Sequence, residues 1–112
     1  MSERERVLIM HRNQDLSKIF EEMVGGFGYD VTRVEYDGKA AEIPGCPYAA
    51  AIIGSLGPEA SSKIIERGNS VADKFVVISG SISPYQKEMG NGANVLFLQI
   101  PFKDYELGEA LE

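Results

Sequence analysis

The side chains able to do chemistry in this sequence fall just after its apolar runs. His11 and Arg12 follow Val7-Leu-Ile-Met10, Gly54 and Ser55 follow Tyr48-Ala-Ala-Ala-Ile-Ile53, Ser79 follows Phe75-Val-Val-Ile78, and Gln99 and Ile100 follow Val95-Leu-Phe-Leu98. An anion could be held by His11, Arg12, Ser55 and Ser79, helped by the amides of Gly54-Ser-Leu-Gly57 and the start of a helix at Pro58. The plainer reading makes His11 and Arg12 surface loop residues. Ser55 and Ser79 could accept phosphate from a kinase, or simply cap their own loops. Gly54-Ser-Leu-Gly57 lacks the Gly-Lys-Ser/Thr that a phosphate-cradling nucleotide loop needs. The single Cys46 can form no intramolecular disulfide, and one histidine cannot build a Cys/His zinc cluster. No paired carboxylates, nucleophile–base pair or metal cluster can be placed, so no catalysis and no bound metal are expected.

Composition narrows the partners. The 112 residues suit one domain spanning residues 1–112, and 44% apolar with 25% charged residues is the balance of an ordinary globular protein. Seventeen acids against eleven bases give a net charge of -6, which repels phosphate backbones and anionic lipid. Proteins or small molecules are therefore the expected partners, with no direct nucleic acid and no membrane. No apolar run approaches the roughly 20 residues that span a bilayer. The charged opening Met1-Ser-Glu-Arg-Glu-Arg6 is unlike a signal peptide, so a cytoplasmic location is expected.

The elements follow from periodicity. Val7–Met10, Tyr48–Ile53, Phe75–Ile78 and Val95–Leu98 are short continuous apolar runs, as in strands covered on both faces, and Val31–Val34 alternates like a half-exposed strand. Leu16, Ile19, Phe20, Met23 and Val24 make a helical stripe, capped by Asn13 or Asp15 and ended by Gly25-Gly26. A weak helix is possible over 38–43. Another begins at Pro58, buries Ala60, Ile64 and Ile65, and closes at Gly68-Asn69; a brief one fits Pro84–Met89. In the last, Asp104–Leu111, Leu107 and Leu111 share a face. Strands alternating with helices predict an α/β, flavodoxin-like, doubly wound, five-stranded parallel sheet of order 2-1-3-4-5, with helices on both faces and short fourth and fifth helices. Ligand sites in such sheets lie at the carboxyl ends of the strands.

Those ends and their surroundings resemble the receiver domains of bacterial and archaeal response regulators. The resemblance covers essentially the whole chain. It rests on Val7–Asn13, Gly28-Tyr-Asp-Val31, Gly38-Lys-Ala-Ala-Glu42, the placing of Pro58, Gly92-Ala93, and Pro101-Phe102 before a Glu-Leu helix. It implies a phosphorylation pocket built from an acidic pair that holds Mg²⁺, an aspartate acceptor, a Ser/Thr and a lysine. Here those positions carry His11 and Arg12, Gly54, Ser79, and Ile100 or, in the other alignment, Gln99. Only Ser79 keeps the family's residue type. The formal charge over those positions turns from net negative to the single positive of Arg12, so Mg²⁺ binding is not expected.

The resemblance therefore implies a stand-alone, degenerate (pseudo-receiver) module of two-component or phosphorelay-type signalling, acting through protein–protein contact without aspartyl phosphorylation. Its partners would be other signalling proteins or a second copy, docking on the face of the fourth helix, fifth strand and fifth helix, with Phe97, Phe102, Tyr105 and Leu107 as candidates. Phe97 also falls where receivers place an aromatic side chain that changes rotamer, against the plain alternative of core packing. The Ile100-Pro101 peptide is expected in cis. Two other readings stay open: a small anion- or nucleotide-binding sensor, and a phosphorelay receiver phosphorylated at an unorthodox residue.

Overall fold

The computed structural model describes residues 5–11, 13–34, 48–54, 65–66, 72–80, 84, 94–100 and 103–111, with the side chain of residue 104 left aside. Five strands form one sheet: β1 (Arg6–His11), β2 (Asp30–Val34), β3 (Ala50–Gly54), β4 (Phe75–Ser79) and β5 (Val95–Gln99). Every neighbouring pair is parallel and the order is β2-β1-β3-β4-β5, as expected from the alternation of elements. Tyr48 forms a further parallel bridge with Ala72 below β3 and β4, and the Arg6 guanidinium lies 5.0 Å over its ring. The first helix is α1 (Gln14–Gly26), and the C-terminal helix is α2 (Asp104–Leu111).

The three central strands are apolar on both faces because both faces are covered. Val7, Ile9, Ala50, Ile52, Val76 and Ile78 meet Phe20 and Val24 of α1 and Leu107 and Leu111 of α2. On the opposite face Leu8, Met10, Ala51, Ile53 and Phe75 cluster with Tyr48 and Ala72, and Ile65, in a helical turn, packs against them. The helix expected over 38–43, all but the first residue of the one expected over 84–89, and most of the one from Pro58 lie outside the described residues, as do Cys46 and the Ile100-Pro101 junction.

α1 differs from its sequence stripe by one position. Ile19 is 49% exposed, whereas Ser17 is buried beside Phe20 and Val24. Residues 17, 20 and 24 follow the i, i+3, i+7 spacing, and a small residue at 17 admits a close approach to the sheet. Asn13 is the cap: its side-chain oxygen accepts from the amides of Asp15 and Leu16 at 3.0 and 3.2 Å. The helix runs through Gly25 and Gly26 before ending, and the turn falls at Gly28, whose φ of 98° suits glycine. Eight-residue α2 is short, as expected, and Gly108 lets the Phe27 ring lie against it.

Candidate functional site

The carboxyl end of the sheet carries an inward-facing histidine. His11 is the last residue of β1, and strand alternation places it on the face of Val7 and Ile9, toward α1. It is 1% exposed, so neither half of the surface-loop reading holds for it: strand pairing continues through His11 and the ring is buried. The Phe20 ring lies 5.6 Å away, centroid to centroid, at a 48° tilt. The Asn13 backbone N–H donates to Nδ1 at 3.0 Å, and the Gln14 side-chain amide donates to the His11 carbonyl at 3.3 Å. Because Nδ1 accepts, the neutral ring carries its proton on Nε2. Burial pushes the imidazole below its ordinary value of 6.5, since a cation there would lose its hydration.

Beside it, in register on β3, stands Gly54. A β-carbon on Gly54 would lie 2.7 Å from His11 Nε2 and nearer still to Cδ2, a separation real β-carbons do not adopt. The glycine is thus required by the imidazole that covers it. Any side chain at the end of β3 would have to begin in volume the ring already fills.

Among the described residues, the other candidates do not converge on this pair. Ser79 ends β4 in register with Gln99 and, by alternation, belongs to the Phe75 face, opposite to His11 and Gly54. Its carbonyl accepts from the Ile100 amide at 2.9 Å, while the Ile100 side chain is exposed. Arg12, Ser55 and Phe102 lie outside the described residues. Phe97 is half-buried on the edge strand, and Tyr105 is exposed on α2. Leu107, expected on a docking face, is a correction: it is fully buried against the sheet with Leu111, and the shared helical face of these two leucines is a core face. Among the described residues no group of His, Cys, Asp or Glu side chains could hold a metal ion, and no helix is long and apolar enough to cross a membrane.

Two participants escaped sequence reasoning. The sequence places the cap at Asn13 or Asp15, yet nothing local indicates that the Asn13 amide also binds the histidine. Phe20 was expected in the core without its histidine neighbour. The period-2 pattern Val7, Ile9, His11 did contain the signal that the imidazole faces inward.

The chain has the fold of response-regulator receiver domains. It superposes on a response regulator receiver protein from Sinorhizobium medicae with a TM-score of 0.76 at 21% identity, covering 97% of this chain and 92% of that one. The receiver domain of a sensor histidine kinase from Pseudomonas aeruginosa, with a magnesium ion coordinated in its active-site cleft, gives 0.71 at 22% identity over 97% and 95% of the two chains. A CheY-like receiver domain from Methylobacillus flagellatus gives 0.68 at 19% identity over 98% and 100%. No protein-family model and no curated protein matches the sequence.

Proposed function

We propose that this chain is a receiver-like signalling domain that acts through contact with other proteins and neither takes phosphate at the end of β3 nor catalyses a reaction of its own. The observation that carries this reading is the His11 ring over Gly54. Phosphoryl transfer to a receiver needs an oxygen nucleophile facing the donor and carboxylates for a hard cation. At the positions the resemblance assigns to them, this chain has a buried imidazole and a glycine without room for a side chain. It is a pseudo-receiver on these grounds, and a cytoplasmic setting accords with a lone cysteine.

Contact with a partner is supported at the β5 edge. Leu96, Ile100 and Tyr105 are large apolar side chains left exposed on β5, just past it, and on α2. The anion-sensor reading draws less support, because His11 is buried rather than open to a ligand. The deciding experiment incubates the protein with Mg²⁺ and a small acyl phosphate and measures its intact mass. An unchanged mass is expected. A stoichiometric phosphoryl adduct overturns the proposal, and peptide mapping then locates the unorthodox acceptor.

A further inference from the structure

The histidine that closes the end of β3 is also tied to the root of α1. Asn13 makes both connections: its backbone N–H donates to His11 Nδ1 at 3.0 Å, and its side-chain oxygen caps the amides of Asp15 and Leu16 at 3.0 and 3.2 Å. The Ser17 amide then donates to the Asn13 carbonyl at 3.0 Å, the first bond inside the helix. One residue thus joins the last residue of β1 to the first turn of α1. The Asn13 amide has an acceptor in Nδ1 only while that nitrogen is unprotonated; with a proton on it, two donors face each other.

Among the described residues, the surroundings offer the imidazolium little compensation. On the face His11 shares, β1 contributes Val7 and Ile9, β3 contributes Ala50, Ile52 and Gly54, and β4 contributes Val76 and Ile78, none of them ionisable. α1 turns Ser17, Phe20 and Val24 inward, while its Asp15, Lys18 and Glu22 are exposed. From β2 comes Arg33, whose guanidinium pairs with Glu21 of α1 at 3.5 Å. α2 sends Leu107 and Leu111 into the same core; its Glu109 is exposed and its Glu106 half-buried. The Phe20 ring favours a cation, and burial outweighs it, holding the imidazole below its ordinary 6.5. Gly54 bars a retreat of the ring toward β3, as its backbone already lies against Cδ2 and Nε2.

We propose that His11 is a proton-operated latch: one proton taken up by the imidazole releases the Asn13 amide and frees the β1–α1 junction, making acidification the input sensed at this end of the sheet. The word input rests on the signalling role proposed above; the latch itself is a property of His11, Asn13 and Gly54. The sign is fixed by linkage. His11 takes up its proton less readily when latched than when the junction is open and the ring hydrated. The latch therefore holds fully above pH 6.5 and weakens as pH falls from there through the lower native value.

Amide exchange of the ¹⁵N-labelled full chain, read by NMR as protection factors from about pH 7.5 to about pH 5.5, tests this, with up to about a tenfold loss of protection per pH unit expected within that window. The loss should appear at Asn13, Ser17 and Phe20, while Val76 and Val77 of β4 keep their protection. His11→Asn keeps an acceptor near the Nδ1 position without a titrating ring, and should abolish the pH dependence. Unchanged protection in α1, an equal loss in α1 and β4, or the same pH dependence in His11→Asn each overturns the latch. Should His11→Asn fail to fold, the wild-type contrast between α1 and β4 decides alone. A phosphoryl adduct overturns the proposed function and leaves this result standing, whereas a flat pH profile removes the latch and leaves the proposed function intact.

Discussion

The His11 ring of β1 lies against the backbone of Gly54 on β3, with Nε2 2.7 Å from where a β-carbon on Gly54 would stand. Two of the departures from the pattern that the resemblance implies, His11 and Gly54, are therefore one steric unit. With the imidazole in place, position 54 must be glycine; with a side chain at 54, the ring must leave. Placing an aspartate at position 54 by a single change is blocked by packing before charge is considered.

Gly54→Ala is the direct test of this coupling. The added methyl must displace a buried ring, so the variant should lose about 1–3 kcal/mol of stability in urea unfolding. In a His11→Ala background the clash with the ring is gone, and the same change should cost far less. The double-mutant cycle thus yields an interaction energy on the order of 1 kcal/mol or more, and additive costs would show that the ring moves aside freely.

The sheet was legible in the sequence because buried parallel strands read as plain apolar runs, and four of the five did so here. β2 alternates instead, and β5, although it reads as an apolar run, is an edge strand that leaves Leu96 exposed. The α1 stripe was read one position off because hydrophobicity marks Ile19 while packing prefers the small Ser17. The site was less legible still. That His11 and Gly54 touch depends on the β1–β3 register, a non-local pairing that no short motif encodes. Leu107, a docking candidate by the resemblance, is buried, and its spacing from Leu111 carries the signal of that buried helix face.

Rebuilding a cation site requires changing the steric unit together with its charge. His11→Asp, Arg12→Asp and Gly54→Asp combined would place carboxylates at the ends of β1 and β3, where hard-cation ligands are needed. Millimolar Mg²⁺ should raise the Tm of this triple variant and leave that of the wild type unchanged, because only a ligand bound preferentially by the folded state stabilises it. Gly54→Asp alone should gain no Mg²⁺ response and should be destabilised like Gly54→Ala.

Asn13 separates the cap from the latch. Asn13→Ala removes the oxygen that accepts from Asp15 and Leu16 but keeps the backbone N–H on His11, so it should cost about 1 kcal/mol. Its pH dependence should match that of the wild type. Asn13→Asp keeps the cap and adds a negative charge at a helix N-terminus, which is favourable there. It should retain wild-type stability at neutral pH, as measured by chemical unfolding.

α2 offers a contrast between core and surface within one short helix. Leu107 is fully buried in the core cluster on the α1 side of the sheet, so Leu107→Ala should cost about 2–5 kcal/mol. Tyr105 is 57% exposed, and Tyr105→Glu should change stability by no more than about 0.5 kcal/mol. If the β5 edge is a contact surface between copies, Tyr105→Glu combined with Leu96→Lys should sediment at a lower average mass than the wild type at equal concentration. At concentrations low enough for the wild type to be monomeric, the two should unfold at the same denaturant midpoint. Equal masses across the concentration series would remove the homodimer and leave a different protein as the partner for this edge, since a charge on an apolar contact acts on association without touching the core.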